Sequence, residues 1–578
     1  MTDPAGRDPP PGHPGRPAPA PAAALTRPEP SAGETSPGDI EGAFGRIAVG
    51  DEQYSGWRRR LVTFLAIVGP GLIVMVGDND AGGVATYAQA GQDYGYSLLW
   101  VLLLLVPVLV VNQEMVVRLG AVTGVGHARL IMERFGRFWA WFNVGDLFLL
   151  NFLTIVTEFI GISLAMKYFG ISPYISVPVA AAMLIAITVS GSFRRWERAM
   201  FLFIGSSLVL FVPLVIFSRP RAGPIAFHFV VPGVQGGVSS NAVLLIIAIV
   251  GTTVAPWQLF FQQSNVIDKR ITPRFIRYER ADTFLGSLVV VGGAAVILIA
   301  TVYAVAGKPL AGHFTDALGV AETFRAKSGF LGTIFALVLL DASIVGAAAV
   351  TLSTSYAFGD VFNIRHSLHR KFRDAKAFYA SYTLVVVLAA GIVLLPGAPL
   401  GLLTTAVQAL AGVLLPSASV FLLLLCNDPE VLGPWTNARW LNIVAGVIIW
   451  LLLLLSGTLV VTTLFSGVSA ATVMVWLAVG LTAGSGLAFG WLRFAAARAG
   501  QVRRPGSGLQ AGQAARGGAA GFAGLTRAER ANWRMPPLAL LKPVVWSPGT
   551  KLAILLLWGY LVVSVLLLVV KAIQLGTS

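Results

Sequence analysis

Two carboxylates stand two residues apart inside an apolar stretch that reads Val76-Gly77-Asp78-Asn79-Asp80-Ala81-Gly82-Gly83. An acid at membrane depth costs roughly 2.5 to 3.5 kcal/mol even on lenient scales, so Asp78 and Asp80 are candidates for holding a cation. The bland reading of Asp80 is a helix-break acid capped by nearby backbone amides. A second interrupted stretch reads Gly251-Thr252-Thr253-Val254-Ala255-Pro256-Trp257-Gln258. Its proline removes a backbone donor and frees carbonyls on the preceding turn. Carbonyls near Gly77 and Thr252 are then available as neutral oxygen donors, a set that suits a hard cation. Glu158 is a further acid within an apolar span, suited to an ion or proton path or to a bond with a facing helix; Asp341 suits an interhelical hydrogen bond. Glu114 and Asp146 fall near span ends, where solvation at the interface accounts for them. The single cysteine, Cys426, leaves no thiolate cluster, and His13, His127, His228, His313, His366 and His369 all fall outside the expected span cores. No nucleophile and base converge on a catalytic pattern, so the chain does not read as an enzyme.

The elements that must position these groups are membrane spans. The 578 residues are 56% hydrophobic and 12% charged, with a mean hydropathy of +0.75, far from the composition of soluble domains. Stretches of about 20 apolar residues recur along the chain. Thirteen spans are expected, near 62–90, 97–118, 143–168, 174–191, 199–218, 241–264, 281–305, 331–357, 377–396, 400–426, 439–464, 470–494 and 551–573. The first and sixth carry the two interruptions. That spacing suits two five-helix repeats of inverted topology whose broken helices meet near the midplane, the arrangement that marks a transporter's binding site. The expected organisation is a disordered Pro-rich tail over 1–57, a ten-helix transport core over 58–430 and two added helices over 431–497. A basic linker over 498–549 and a terminal helix over 550–578 follow.

The formal net charge of +15 does not indicate nucleic acid, because the basic residues lie in short loops between apolar spans. Arg58 to Arg60 precede the first span, and basic groups recur at Arg118 to Arg137, Arg194 to Arg198, Lys269 to Arg280 and Arg365 to Lys376. Each later group follows an even-numbered span, which places the N-terminus in the cytoplasm of a multi-pass cell-membrane protein.

Gly69-Pro70-Gly71, the Asp80 to Gly83 break, Tyr94-Gly95-Tyr96-Ser97-Leu98-Leu99-Trp100, Glu158 to Gly161 and Arg194 to Arg198 resemble the NRAMP family of divalent metal transporters. The resemblance covers roughly residues 60–430. It implies an all-α leucine-transporter-like fold with metal bound between helices one and six. The family's Asp-Pro-Gly-Asn reads here Asp80-Ala81-Gly82-Gly83, and its Met-Pro-His reads Ala255-Pro256-Trp257. By that matching Asp80 keeps the ligand role, Gly83 replaces an asparagine ligand and Ala255 replaces a thioether ligand. Gln408 stands where the family has a glutamine on helix ten, and the carbonyls of Gly77 and Thr252 carry over by position. The family's proton route is represented by Ile155, Trp257 and Gln262, none of which titrates.

Loss of a soft sulfur ligand shifts preference from Mn2+ or Fe2+ toward Mg2+. Gly83 and Ala255 are also expected to leave room beside Asp80 for a partly hydrated ion. The pattern resembles the NRAMP-related magnesium transporter branch and implies uncoupled Mg2+ uptake driven by the membrane potential. The alternatives are proton-coupled Mn2+ or Fe2+ import, and a sodium-coupled amino-acid symporter, against which Asp78 and Asp80 would repel a substrate carboxylate. The expected partners are the transported divalent ion and the lipid bilayer, with no bound cofactor and no nucleic acid.

Overall fold

The structure, a computed structural model, describes residues 40–47, 56–306, 314–364, 366–395, 400–464, 475–484 and 525–542, with scattered positions in 551–563. Among these residues nine helices are long and apolar enough to cross a membrane. The first interrupted segment and a 17-residue helix, Pro173–Val189, add to them.

The first unit opens on α1 (Trp57–Ile67), α2 (Pro70–Gly77) and α3 (Ala81–Tyr94). It continues with α4 (Leu99–Thr123), α5 (His127–Phe135), α6 (Arg137–Tyr168), α7 (Pro173–Val189) and α8 (Phe193–Ser218). After the short α9 (Ala222–Val230), the second unit opens on α10 (Ser240–Thr253) and α11 (Pro256–Asp268). It continues with α12 (Ile276–Val305), α13 (Ala317–Lys327), α14 (Gly329–Val361), α15 (Lys376–Val393) and α16 (Leu400–Cys426). Each unit thus begins with a broken helix, giving the inverted five-helix repeat of a leucine-transporter-like fold. The short α17 (Pro429–Leu432) and the long α18 (Arg439–Leu464) follow. Of the two remaining expected spans, 470–494 and 551–573, about half of each lies outside the described residues.

Local chemistry explains the breaks. Pro70 and Pro256 each occupy the first turn of a helix, where the missing N–H is not needed. Gly69 takes φ of +152°, a backbone state that favours glycine, and a side chain there would collide with Glu197 and Lys269. The core lies between the broken helices and α4, α6, α12, α14 and α16; Tyr87, Phe159, Trp257 and Phe261 are buried in it.

Two regions depart from the expected organisation. Within the tail expected to be disordered, Ile40–Gly42 and Gly45–Ile47 form an antiparallel hairpin. Ala43 N donates to Glu197 Oε2 at 2.5 Å and Arg198 Nε donates to Ala43 O at 3.2 Å, which ties the hairpin to α8. Within the expected linker, residues 525–542 fold back onto the core. Thr526 and Glu529 form a capping box on the helix Arg527–Asn532. Met535 N donates to Val122 O at 3.3 Å, and Arg134 donates to Lys542 O at 2.6 Å.

Candidate functional site

The two breaks lie side by side. Asp80 is the N-cap of α3, its Oδ1 accepting from Gly83 N at 2.6 Å. The capping role is therefore real, and it occupies only part of a carboxylate with about four acceptor positions. The carboxyl of Glu158 and the hydroxyl of Thr252 also lie against Asp80. Glu158 reaches the break from α6, its Oε2 accepting from Ala81 N at 3.0 Å, while its Oε1 has no protein partner. Asp78 is fully buried and neither of its carboxyl oxygens has a protein hydrogen bond. It lies beside Gln258 and close to Asp80.

Neutral oxygens complete the surroundings. A helix end leaves its last carbonyls without intrahelical donors. At the end of α10, Val254 N uses the Val250 carbonyl and Gln258 Nε2 uses that of Thr253 at 3.1 Å. Gly251 and Thr252 are left with open carbonyls. At the end of α2, the amides of Asp78 and Asn79 turn back to Met75 and Val76, which leaves the Gly77 carbonyl open. Gln408 lies against Gly82, and its Nε2 has no partner. Ala255, buried at the start of α11, contributes a methyl group and no donor.

The packing corrects one expectation. A side chain on Gly83 would stand 2.7 Å from the Asp78 carbonyl and 3.1 Å from the Thr252 hydroxyl, so Gly83 closes the break instead of leaving room beside Asp80. Gly346 on α14 plays a similar part, since a Cβ there would meet Glu158 and Asp80. Asp80 is 2% exposed, and the site is occluded.

Among the described residues no group of three or more His, Cys, Asp or Glu is arranged to hold a metal. A cation here would depend on one or two carboxylates supplemented by carbonyl, hydroxyl and amide oxygens, the donor chemistry of hard ions.

Other residues fall where expected or differently. Asp341 accepts a hydrogen bond from Ser207 of α8, the interhelical role assigned to it. Glu114 is held by Arg118 at 3.0 Å and Arg280 at 2.6 Å, so ion pairing and not solvation accounts for it. His127 is buried on α5, with Nδ1 2.8 Å from Gln263 Oε1. Spacing did not single out Gln258, whose Oε1 accepts from Gln113 Nε2 at 2.6 Å and so ties α11 to α4 at the break. Nor did it single out Lys269, counted among loop charges. That residue is fully buried, 2.6 Å from Glu197 Oε1 and 2.8 Å from Val68 O. Asp282 accepts from the amides of Gly69, Gly71 and Leu72 at 2.8 to 3.2 Å and so caps α2.

The natural resistance-associated macrophage protein-like (Nramp) family matches residues 71–462. A divalent metal cation transporter of Klebsiella pneumoniae is 28% identical over 421 residues, spanning 69% of this chain and 95% of that protein. A divalent metal cation transporter of Staphylococcus aureus is 25% identical over 419 residues, spanning 69% and 92%. The solved structure of a manganese transporter from Eremococcus coleocola aligns with a TM-score of 0.57 at 20% identity, over 79% of this chain and 98% of that one. That structural likeness speaks to the fold.

Proposed function

Because this chain belongs to the Nramp family of membrane transporters, we propose that it carries Mg2+ into the cell, without a coupled proton, through the site between its two broken helices. It is a divalent metal cation transporter and not an enzyme. The finer reading rests on one observation: the side chains beside Asp80, the carboxyl of Glu158 and the hydroxyl of Thr252, offer oxygen and no sulfur, and Ala255 at the start of α11 has only a methyl group. Oxygen donors select hard cations, and Mg2+ takes one or two carboxylates while keeping several waters. Asp80 is the primary ligand, supported by the Gly77 and Thr252 carbonyls and Gln408, with Asp78 as a nearby charge. Since Gly83 is packed against the break in the occluded state, entry of the ion's remaining waters requires the two breaks to move apart.

Uptake needs no proton for energy. A membrane potential supplies about 2.3 kcal/mol per charge per 100 mV, hence roughly 4.6 kcal/mol for a dication. Orientation with the N-terminus in the cytoplasm of the cell membrane is supported by the basic loops that follow even-numbered spans.

A second reading, proton-coupled Mn2+ import, draws on the contact between Glu158 and Asp80. Two carboxyls that close in a dry site call for a shared positive charge, which a proton or a metal ion supplies. Reconstitution separates the readings. Proteoliposomes held at a negative internal potential should take up Mg2+ ahead of Mn2+ with no stoichiometric fall in internal pH. Preferred Mn2+ uptake with one proton per ion would replace the first reading by the second.

A further inference from the structure

A cavity of about 690 Å³ opens at the end of the bundle where α12 begins, and its wall carries Arg60, Arg274, Arg277, Arg280, Arg527 and Arg530. These six cations come from three separate parts of the chain: α1, the turn into α12, and the folded-back segment with the helix Arg527–Asn532. The cavity exists because that segment is docked. Trp435 Nε1 donates to Arg530 O at 2.9 Å, and the Arg530 guanidinium lies 4.7 Å over the Trp435 ring. A second cavity of about 550 Å³ adjoins the first and shares Arg280, Trp435 and Arg530 with it. The remainder of its wall is mainly apolar, with Val110, Val111, Phe284, Trp440 and Leu441. Phe284 and Trp440, on the membrane-length helices α12 and α18, are 51% and 64% exposed. Among the described lining residues of both cavities Glu114 is the one acid, and it is already bonded to Arg118 and Arg280.

A cluster of exposed arginines is costly through mutual repulsion, and guanidinium groups match phosphate oxygens by paired hydrogen bonds. A basic chamber that continues into a lipid-facing apolar groove matches an amphiphile with an anionic phosphate head and an acyl chain. Tryptophans at the junction are the usual residues at headgroup depth. We propose that this pair of cavities is a binding site for an anionic phospholipid, with the headgroup phosphate among the arginines and an acyl chain between α4, α12 and α18. The lipid then bridges the folded-back 525–542 segment to the transport core. Basic pockets between spans are a known chemical solution for holding such headgroups.

Native mass spectrometry of the full-length protein in detergent, titrated with dioleoyl phosphatidylglycerol or dioleoyl phosphatidylcholine, tests the site. Phosphatidylglycerol should be retained roughly tenfold more tightly, since each basic residue near an anionic surface contributes measurably. Arg277→Glu combined with Arg527→Glu should remove that preference while phosphatidylcholine retention is unchanged. If the reversed pair is not monodisperse, Arg277→Gln should still reduce phosphatidylglycerol retention several-fold. Inorganic pyrophosphate and glycerophosphate, which have the charge without the chain, should fail to displace the lipid at equal concentration. Equal retention of both lipids, phosphatidylglycerol retention insensitive to the arginine changes, or displacement by pyrophosphate would each overturn the proposal.

Discussion

Two groups of buried acids lie at the two ends of α2 and differ in one respect. At its N-terminal end Glu197 is paired with Lys269 and Asp282 takes three backbone amides. Only Glu279 beside them lacks a hydrogen-bond partner, and it shares the field of Lys269. At the C-terminal end Asp78, Asp80 and Glu158 have no lysine or arginine among their contacts with the described residues, and three of their carboxyl oxygens are unbonded there. The first group carries its cation within the fold and holds α2 in place. The second has no such cation among the described residues, and under the proposed function the transported ion would supply it. A buried acid is thus informative less by its presence than by what already neutralises it.

This contrast can be broken by exchanging the consequences of mutation. Lys269→Met should leave Glu197 buried and unpaired, at a cost of roughly 3 to 5 kcal/mol in stability. A thermal-unfolding experiment in detergent should show a large fall in midpoint that added Mg2+ does not recover. An unchanged midpoint would mean that the pair is not structural. Ala255→Met should act on selectivity instead. By adding a soft sulfur at the start of α11 it should raise Mn2+ or Cd2+ affinity relative to Mg2+ roughly tenfold, about 1.4 kcal/mol. Competition of Cd2+ against Mg2+ flux measures this, and an unmoved preference would place Ala255 away from the ion. Asp78→Asn is the mildest change, expected to slow Mg2+ flux by only a few-fold because Asp80 remains. Complete loss would make Asp78 a primary ligand.

Much of this arrangement was readable from the chain alone, for reasons that are local. Asp78 to Gly83 and Val254 to Pro256 interrupt helices by their own chemistry, so both breaks and the residues around them could be placed without tertiary information. Pairings across the fold could not. Gln113 meets Gln258 across 145 residues and Glu197 meets Lys269 across 72, and no periodicity encodes such partners. Lys269 illustrates the limit: in sequence it belongs to a basic loop cluster, and only packing of α11 against α8 makes it a buried cation. Likewise the glycine at position 83 suggests free space by its size, whereas the approach of the Asp78 carbonyl fills that space. The hairpin at 40–47 was hidden by the Pro- and Gly-rich composition around it.

Potential-driven Mg2+ uptake by proteoliposomes containing the Asp80→Ala protein tests the role of the second acid group most directly. Asp80 is the carboxylate shared by the α3 cap, Glu158 and Thr252. Its removal should lower uptake roughly 100-fold, about 2.7 kcal/mol, in a protein that stays monodisperse and loses only the stability of the α3 cap, about 1 kcal/mol. Mg2+ uptake at the parent's rate in that variant would contradict the assignment of this break as the ion site.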